Sequence, residues 1–194
     1  MRLSKSDIEV MADIHLATLK NDILPLLGRS FLVKFYTYIN RSNCESIYTI
    51  RKNNIVVAAC IVSYEVETLM KRVVKNLFFS LVFAVLMMLF KKISFFTYVK
   101  NIFLSKEGVR ISGTGIVYIF VSPGFQNTGV GTRILKEAET LLIKNNQKQI
   151  HVKTINHKKN GAINFYLKNG FIIECSFNYL GREYLFLKKT LQTN

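Results

Sequence analysis

The residues in this chain best placed to do chemistry lie between Gly115 and Glu137. An apolar run, Ile116-Val117-Tyr118-Ile119-Phe120-Val121, leads into Ser122-Pro123-Gly124-Phe125-Gln126-Asn127-Thr128-Gly129-Val130-Gly131-Thr132. From Thr132 the apolar residues Ile134, Leu135, Ala138, Leu141 and Leu142 recur at helical spacing. The order predicted is strand, loop, helix. Backbone N–H groups at a helix N-terminus lack helical acceptors and sit at the positive end of the dipole, so such a loop is built for an oxyanion. Gly129 and Gly131 carry no Cβ that would keep a diphosphate from the backbone. A P-loop would place Lys-Ser/Thr after its second glycine, whereas Gly129 is followed by Val130-Gly131. A dinucleotide fingerprint starting at Gly129 would require Gly or Ala where Ile134 stands. What remains is the pattern Gln-x-x-Gly-x-Gly, at Gln126, Gly129 and Gly131, or else a plain glycine-rich turn.

A second pattern follows at a fixed distance. Gln149 to Thr154 reads as a strand, and Ala162-Ile163-Asn164-Phe165-Tyr166-Leu167-Lys168-Asn169-Gly170-Phe171 reads as a helix ending at Gly-Phe before another strand. The two linked motifs resemble those of the GCN5-related N-acetyltransferase (GNAT) superfamily, strongly over about residues 110–190 and more loosely over the first 65. The resemblance implies an α/β (α+β) fold: a mixed, mostly antiparallel sheet with splayed fourth and fifth strands and helices on both faces. It also implies an acyl-CoA-dependent N-acyltransferase with acetyl-CoA as co-substrate, held between those two strands. The backbone of Ile119, Phe120 and Val121 would pair with pantetheine, and the diphosphate would take N–H groups from Gln126, Asn127, Thr128, Gly129, Val130, Gly131 and Thr132. Gln126 would add a side-chain contact. Tyr166 stands at the family's tyrosine, the proton donor to the departing sulfur.

Two departures are visible. Where the family often has Asn, three residues before Ala162, this chain has Lys159, with Asn160 one place off as the candidate pantetheine contact. The strand from Ile116 to Val121 holds no Asp or Glu, so the usual carboxylate base is missing. Water relayed to a backbone carbonyl, Tyr118 or His15 are the alternatives, while His151 and His157 read as surface residues.

Several elements must position these groups. Residues 6–20 read as a first amphipathic helix behind a Ser6 or Asp7 cap, and Gly28–Ile39 as a second with Phe31, Phe35 and Tyr38 along one face. In the superfamily the loop between these helices, here Asn21-Asp22-Ile23-Leu24-Pro25, borders the acceptor. Ser46–Arg51 and Ile55–Ser63 flank an Asn-rich turn and form a hairpin, the second and third strands of the family's sheet, with Cys60 a buried filler.

Residues 67–100 are an insert. Its centre, Leu77–Phe90, has 14 residues without a charge and is bracketed by Lys71, Arg72, Lys75, Lys91 and Lys92. As a helix it would be about 21 Å long, short of the about 20 residues a bilayer core requires. Spanning is thereby disfavoured, and the other readings are an anionic membrane surface, a partner protein, or burial within the protomer or a homodimer. This insert and the run Leu27-Gly28-Arg29-Ser30-Phe31-Leu32-x-x-Phe35-Tyr36 resemble acetyltransferases of bacterial surface polysaccharide synthesis, which implies an amino-sugar nucleotide as acceptor. A peptide, a protein or a polyamine are the other acceptors, and a CoA-binding module without turnover is the alternative from another class.

A chain of 194 residues with 49% apolar content suits one domain, residues 1–194. The net charge of +15 favours polyanions such as CoA, a nucleotide sugar or anionic lipid. No helix-turn-helix, RNA-binding or zinc-finger pattern accompanies it, which argues against nucleic acid. Three scattered cysteines (Cys44, Cys60, Cys175), three histidines without metal-ligand spacing and a polar start at Met1–Asp13 imply no metal and a cytoplasmic location, peripheral to the membrane if the insert docks there.

Overall fold

A computed structural model describes residues 2–20, 22–90, 112–157, 161–179 and 182–192. Helix α1 spans Lys5–Thr18. Its cap is Ser4, not Ser6 or Asp7: the Asp7 N–H donates to Ser4 Oγ at 3.2 Å, and the Ser4 N–H donates to Asp7 Oδ2 at 3.0 Å. Asp7 therefore acts from the third helical position and closes a reciprocal capping box. One turn, α2 (Ile23–Leu26), is capped by Asp22, and α3 covers Arg29–Arg41. Phe31, Leu32, Phe35, Tyr36 and Ile39 are buried along α3, while Tyr38 is only partly covered.

The hairpin forms as read: β1 (Glu45–Lys52) pairs antiparallel with β2 (Ile55–Ser63) around Asn53 and Asn54, both at positive φ. Among the described residues these are the first two strands in chain order. Then come α4 (Val66–Phe90), β3 (Gly115–Val121), a single 3-10 turn at Pro123–Phe125, α5 (Val130–Lys144), β4 (Gln149–Ile155), α6 (Gly161–Lys168), β5 (Ile172–Tyr179) and β6 (Arg182–Thr190). Among the described residues six strands lie in the order β1-β2-β3-β4-β6-β5, and of their pairings only β3 with β4 is parallel.

Apolar side chains fill both faces. On the first, α1, α3 and the start of α4 bury Met11, Leu32, Phe35, Tyr36, Leu69 and Val73 against Ala59, Ile61 and Phe120. On the second, α5 and α6 bury Ile134, Leu135, Ala138, Leu142 and Tyr166 against Ala58, Cys60, Ile150 and Leu187. Cys60 is fully enclosed there, and burial pushes its thiol up to about 12, so it is a filler and not a nucleophile.

The insert is longer than its uncharged centre: the helix starts at Val66 and is broken by non-helical angles at Leu77. Its first part is anchored where Arg72 meets Glu45, which is buried on β1, and Glu65 at 3.2 Å. Beyond the break, Leu77, Leu81 and Ala84 turn towards the first core, whereas Phe78, Phe79, Val82, Phe83, Leu86 and Met87 face solvent. No helix among the described residues is long and apolar enough to cross a membrane. The rest of the insert, with Lys91 and Lys92, lies outside the described residues.

Candidate active site

β3 and β4 share only two residue pairs, Gly115 with His151 and Ile116 with Val152. Beyond Ile116 they separate, so backbone groups of Ile119 to Val121 have no β4 partner. The splay expected from the sequence is present. β3 also carries one residue more than its other neighbour: Tyr118 pairs with Ile61 and Ile116 with Val62, which leaves Val117 as a bulge. In consequence Val117 and Tyr118 both pack on the first face, while Ile119 and Val121 return to the second.

The loop closes this cleft at the C-terminal end of β3. The Ser122 N–H donates to Val57 O at 2.8 Å, and the Thr128 hydroxyl donates to Phe125 O at 2.7 Å. Asn127 and Gly129 have positive φ, +60° and +82°, and Gly129 caps α5 without any side-chain bond. The first backbone bond of α5 runs from the Arg133 N–H to Gly129 O, so the N–H groups of Val130, Gly131 and Thr132 precede the helical ladder. A Cβ on Gly129 would meet nothing within 4 Å. A Cβ on Gly131 would lie 3.3 Å from the Phe165 ring, so this second glycine serves the contact between α5 and α6. The Gln126 side-chain amide donates to Val121 O at 3.1 Å and so braces the loop.

Tyr166 projects from α6 into the second core, edge-on to Phe165 and Phe171 with ring centroids 5.2 Å apart in each pair. Burial raises its phenol pKa and keeps it protonated, the state a proton donor requires. Asn160 and Lys159 lie outside the described residues.

Across the sheet, on the first face, is a polar cluster. His15 is wholly buried on α1, its Nδ1 2.5 Å from the Tyr36 hydroxyl on α3. Its ring centroid lies 4.7 Å from that of Tyr118 on β3, and its Nε2 is 3.8 Å from Asp22 Oδ2. Burial works against the Asp22 charge, but His15, Tyr118 and the Ile23 N–H outweigh it and lower its pKa. Burial, and then the Asp22 charge, raise that of Tyr118. On β4, Ile150 and Val152 belong to the second core, so Lys153 alternates to the first face. There it reaches solvent, yet the surrounding strands lower its ammonium pKa, an effect that Asp22 opposes. Lys153 Nζ lies 5.1 Å above the Tyr184 ring, which stacks on Phe177 at 5.9 Å.

One of these placements differs from the sequence reading. His151 is buried, not superficial: it stacks on Phe186 at 5.1 Å, with Nδ1 3.2 Å from Thr114 O, because an inward β4 position holds it; His157 is exposed as expected. Tyr36, Lys153 and Tyr184 were not foreseen, since nothing local marks them; Tyr36 meets His15 where α3 packs on α1, and Lys153 and Tyr184 are brought to this face by the sheet. Among the described residues no group of His, Cys, Asp or Glu is arranged to hold a metal ion.

Comparison with known proteins agrees with this geometry. Residues 96–173 match the family model of an acetyltransferase (GNAT) domain. The whole chain superposes on the ribosomal-protein-S18-alanine N-acetyltransferase of Escherichia coli with a TM-score of 0.61 at 10% identity, covering 100% of this chain and 94% of that one. A GNAT-family acetyltransferase of Desulfovibrio desulfuricans gives 0.63 at 11% identity, covering 99% and 96%. PaiA N-acetyltransferase from Thermoplasma acidophilum, crystallised with coenzyme A, gives 0.59 at 11% identity, covering 98% and 96%. No curated protein matches the sequence.

Proposed function

We propose that this chain, a GNAT acetyltransferase by its domain match and its fold, binds acetyl-CoA in the β3–β4 cleft and moves the acetyl group to a primary amine of an amino-sugar nucleotide. The observation that supports the donor site is the splay itself: pairing ends at Ile116 and Val152, and the gap runs up to the uncommitted N–H groups at the start of α5. Those groups face the diphosphate, and the free edge of Ile119–Val121 runs beside the pantetheine amides. The two faces then divide the work. The acceptor comes in from the His15 and Asp22 side, and its nitrogen, having lost one proton, forms the C–N bond. The tetrahedral oxyanion collapses with cleavage of the C–S bond; Tyr166, on the opposite face, gives its proton to the thiolate, and the second proton shed by the nitrogen passes to water, from which Tyr166 is reprotonated.

A nucleotide-sugar acceptor is supported by Lys153 and the stacked Tyr184 and Phe177, a cation beside aromatic faces on the acceptor side of β4 and β6. The exposed face of α4 fits contact with an anionic membrane surface, near which such an acceptor would be used. The test is release of free CoA thiol from acetyl-CoA with a panel of amino-sugar nucleotides, peptides with free N-termini and polyamines. Thiol release with an amino-sugar nucleotide bears the reading out. Turnover of a peptide or polyamine alone overturns the acceptor, and tight acetyl-CoA binding without acceptor-dependent release overturns the catalysis.

A further inference from the structure

Lys153 is the first residue of β4 past its last pair with β3, Ile116 with Val152. It still pairs with Phe186 of β6, so its backbone is fixed while its side chain stands on the first face, at the vertex of the splay. Nζ lies 5.1 Å above the ring of Tyr184, which pairs with Ile155 two residues farther along β4. The side chain therefore leans along the strand towards the open end of the gap. Asp22 is near enough for its charge to act on both Lys153 and Tyr118, and Tyr184 acts on Tyr118 as well, so these groups share one corner of the cleft. Burial lowers the Lys153 ammonium pKa and Asp22 opposes that without cancelling it, so more neutral amine is present than at an open surface lysine. The same register says where a bound thioester would come. With the diphosphate at the start of α5, the pantetheine arm runs down the unpaired edge of β3 from Val121 towards Ile116, about 17 Å at ~3.3 Å per residue. An extended pantetheine arm covers about that length, which brings its sulfur to the vertex and to Lys153.

We propose that Lys153 is a site of self-acetylation, its ε-amine taking the acetyl group from acetyl-CoA bound in the same chain when no acceptor is present. The inference rests on the acetyl-CoA reading above and adds a modification site to it. The ε-amine, having given one ammonium proton to water, attacks the thioester carbonyl. The C–N bond forms, the C–S bond breaks, and the nitrogen sheds a second proton to water while the thiolate takes one from Tyr166, which water reprotonates. Nε-acetyl-lysine and CoA thiol are left, with one proton released overall and nothing oxidised or reduced. The product is uncharged, so the reaction neutralises the cation presented beside Tyr184 and Phe177. The chain thereby weakens its own hold on an anionic acceptor when donor is plentiful and acceptor scarce.

The test incubates the full chain with acetyl-CoA and no added amine, and follows acetylation of each lysine by mass spectrometry of its peptides. Lys5, 88% exposed on α1, reports the reaction of an open lysine with donor in solution. Lys153 should be acetylated about 10-fold or more faster than Lys5, since a bound thioester raises the local concentration of donor. Its rate should saturate with acetyl-CoA and be unchanged when the protein is diluted, while the Lys5 rate rises linearly with donor. Desulfo-CoA, which fills the donor site without a thioester, should protect Lys153 and not Lys5. Lys153→Arg, which keeps the cation, should lose the fast incorporation into the intact protein. A Lys153 rate no faster than that of Lys5, one that scales with protein concentration, one that desulfo-CoA leaves untouched, or fast incorporation that survives in Lys153→Arg would overturn the assignment. Failure of the parent protein to bind acetyl-CoA in a calorimetric titration would instead sink the reading on which it rests.

Discussion

Gly129 offers the sharpest test of the anion loop, because its two roles can be separated by charge. At φ +82° any side chain pays for a left-handed backbone, about 1–2 kcal/mol, yet a Cβ there meets no atom within 4 Å. Gly129→Glu and Gly129→Lys therefore share one stability loss, which for a chain of 194 residues is a fall in Tm of about 2–8 °C. Their charges then act oppositely on a diphosphate. Two phosphate charges about 5 Å from a carboxylate repel it by about 2 kcal/mol at the dielectric of water and about 7 kcal/mol at an effective value near 20. The loop is exposed, so the lower figure governs, and Gly129→Glu should weaken acetyl-CoA about 30-fold or more. Gly129→Lys should weaken it far less, and the gap between the two should narrow as salt is raised. Calorimetric titration at two salt concentrations, with thermal melts to confirm folding, measures both effects. Equal affinity losses in the two folded variants would refute the placement of the diphosphate at the start of α5.

Tyr166→Phe keeps the ring between Phe165 and Phe171, so acetyl-CoA binding should persist while turnover falls about 10²–10⁴-fold; a variant as fast as the parent would leave Tyr166 a core aromatic. Asp7 bonds to the Arg51 guanidinium at 2.6 Å, which holds its carboxyl well below the usual range; a depressed pKa adds stability above the unfolded carboxylate value that is lost as pH falls through the folded one. Asp7→Asn should therefore melt lower than the parent at pH 7, with the difference shrinking as pH drops below about 4, and a constant difference would show that the ion pair contributes nothing. On α4, Phe79, Phe83 and Leu86 are exposed, so replacing all three with Ser should leave folding and acetyl-CoA affinity intact. The parent should float with vesicles of anionic lipid, less so at high salt, and the triple variant should not; a parent that stays with the soluble fraction on every vesicle excludes the membrane contact.

Much of the site was legible along the chain because it is local. The loop from Gln126 to Thr132 reads directly, since a strand, a pair of glycines and an amphipathic helix are consecutive and the anion-binding physics belongs to the backbone. Tyr166 and the Gly-Phe that ends α6 are likewise local, as is the hairpin around Asn53 and Asn54. What the sequence could not convey is anything set by a neighbour distant along the chain. Gly131 is small partly because Phe165 comes within 3.3 Å of where a Cβ would be. His151 is buried because Phe186 stacks on it from β6. The two faces of α4 differ because only one meets the first core, a distinction that fourteen uncharged residues do not encode. The polar cluster is the extreme case. His15, Asp22, Tyr36, Tyr118 and Lys153 come from two helices, a loop and two strands, and each is an ordinary residue in its own segment. Motifs announce backbone sites because the backbone's donors are fixed by adjacent residues. A side-chain site exists only once packing has closed the loops between its members, and so the strand, loop and helix of this candidate site were written in the sequence while the polar cluster on the first face was decided by the fold.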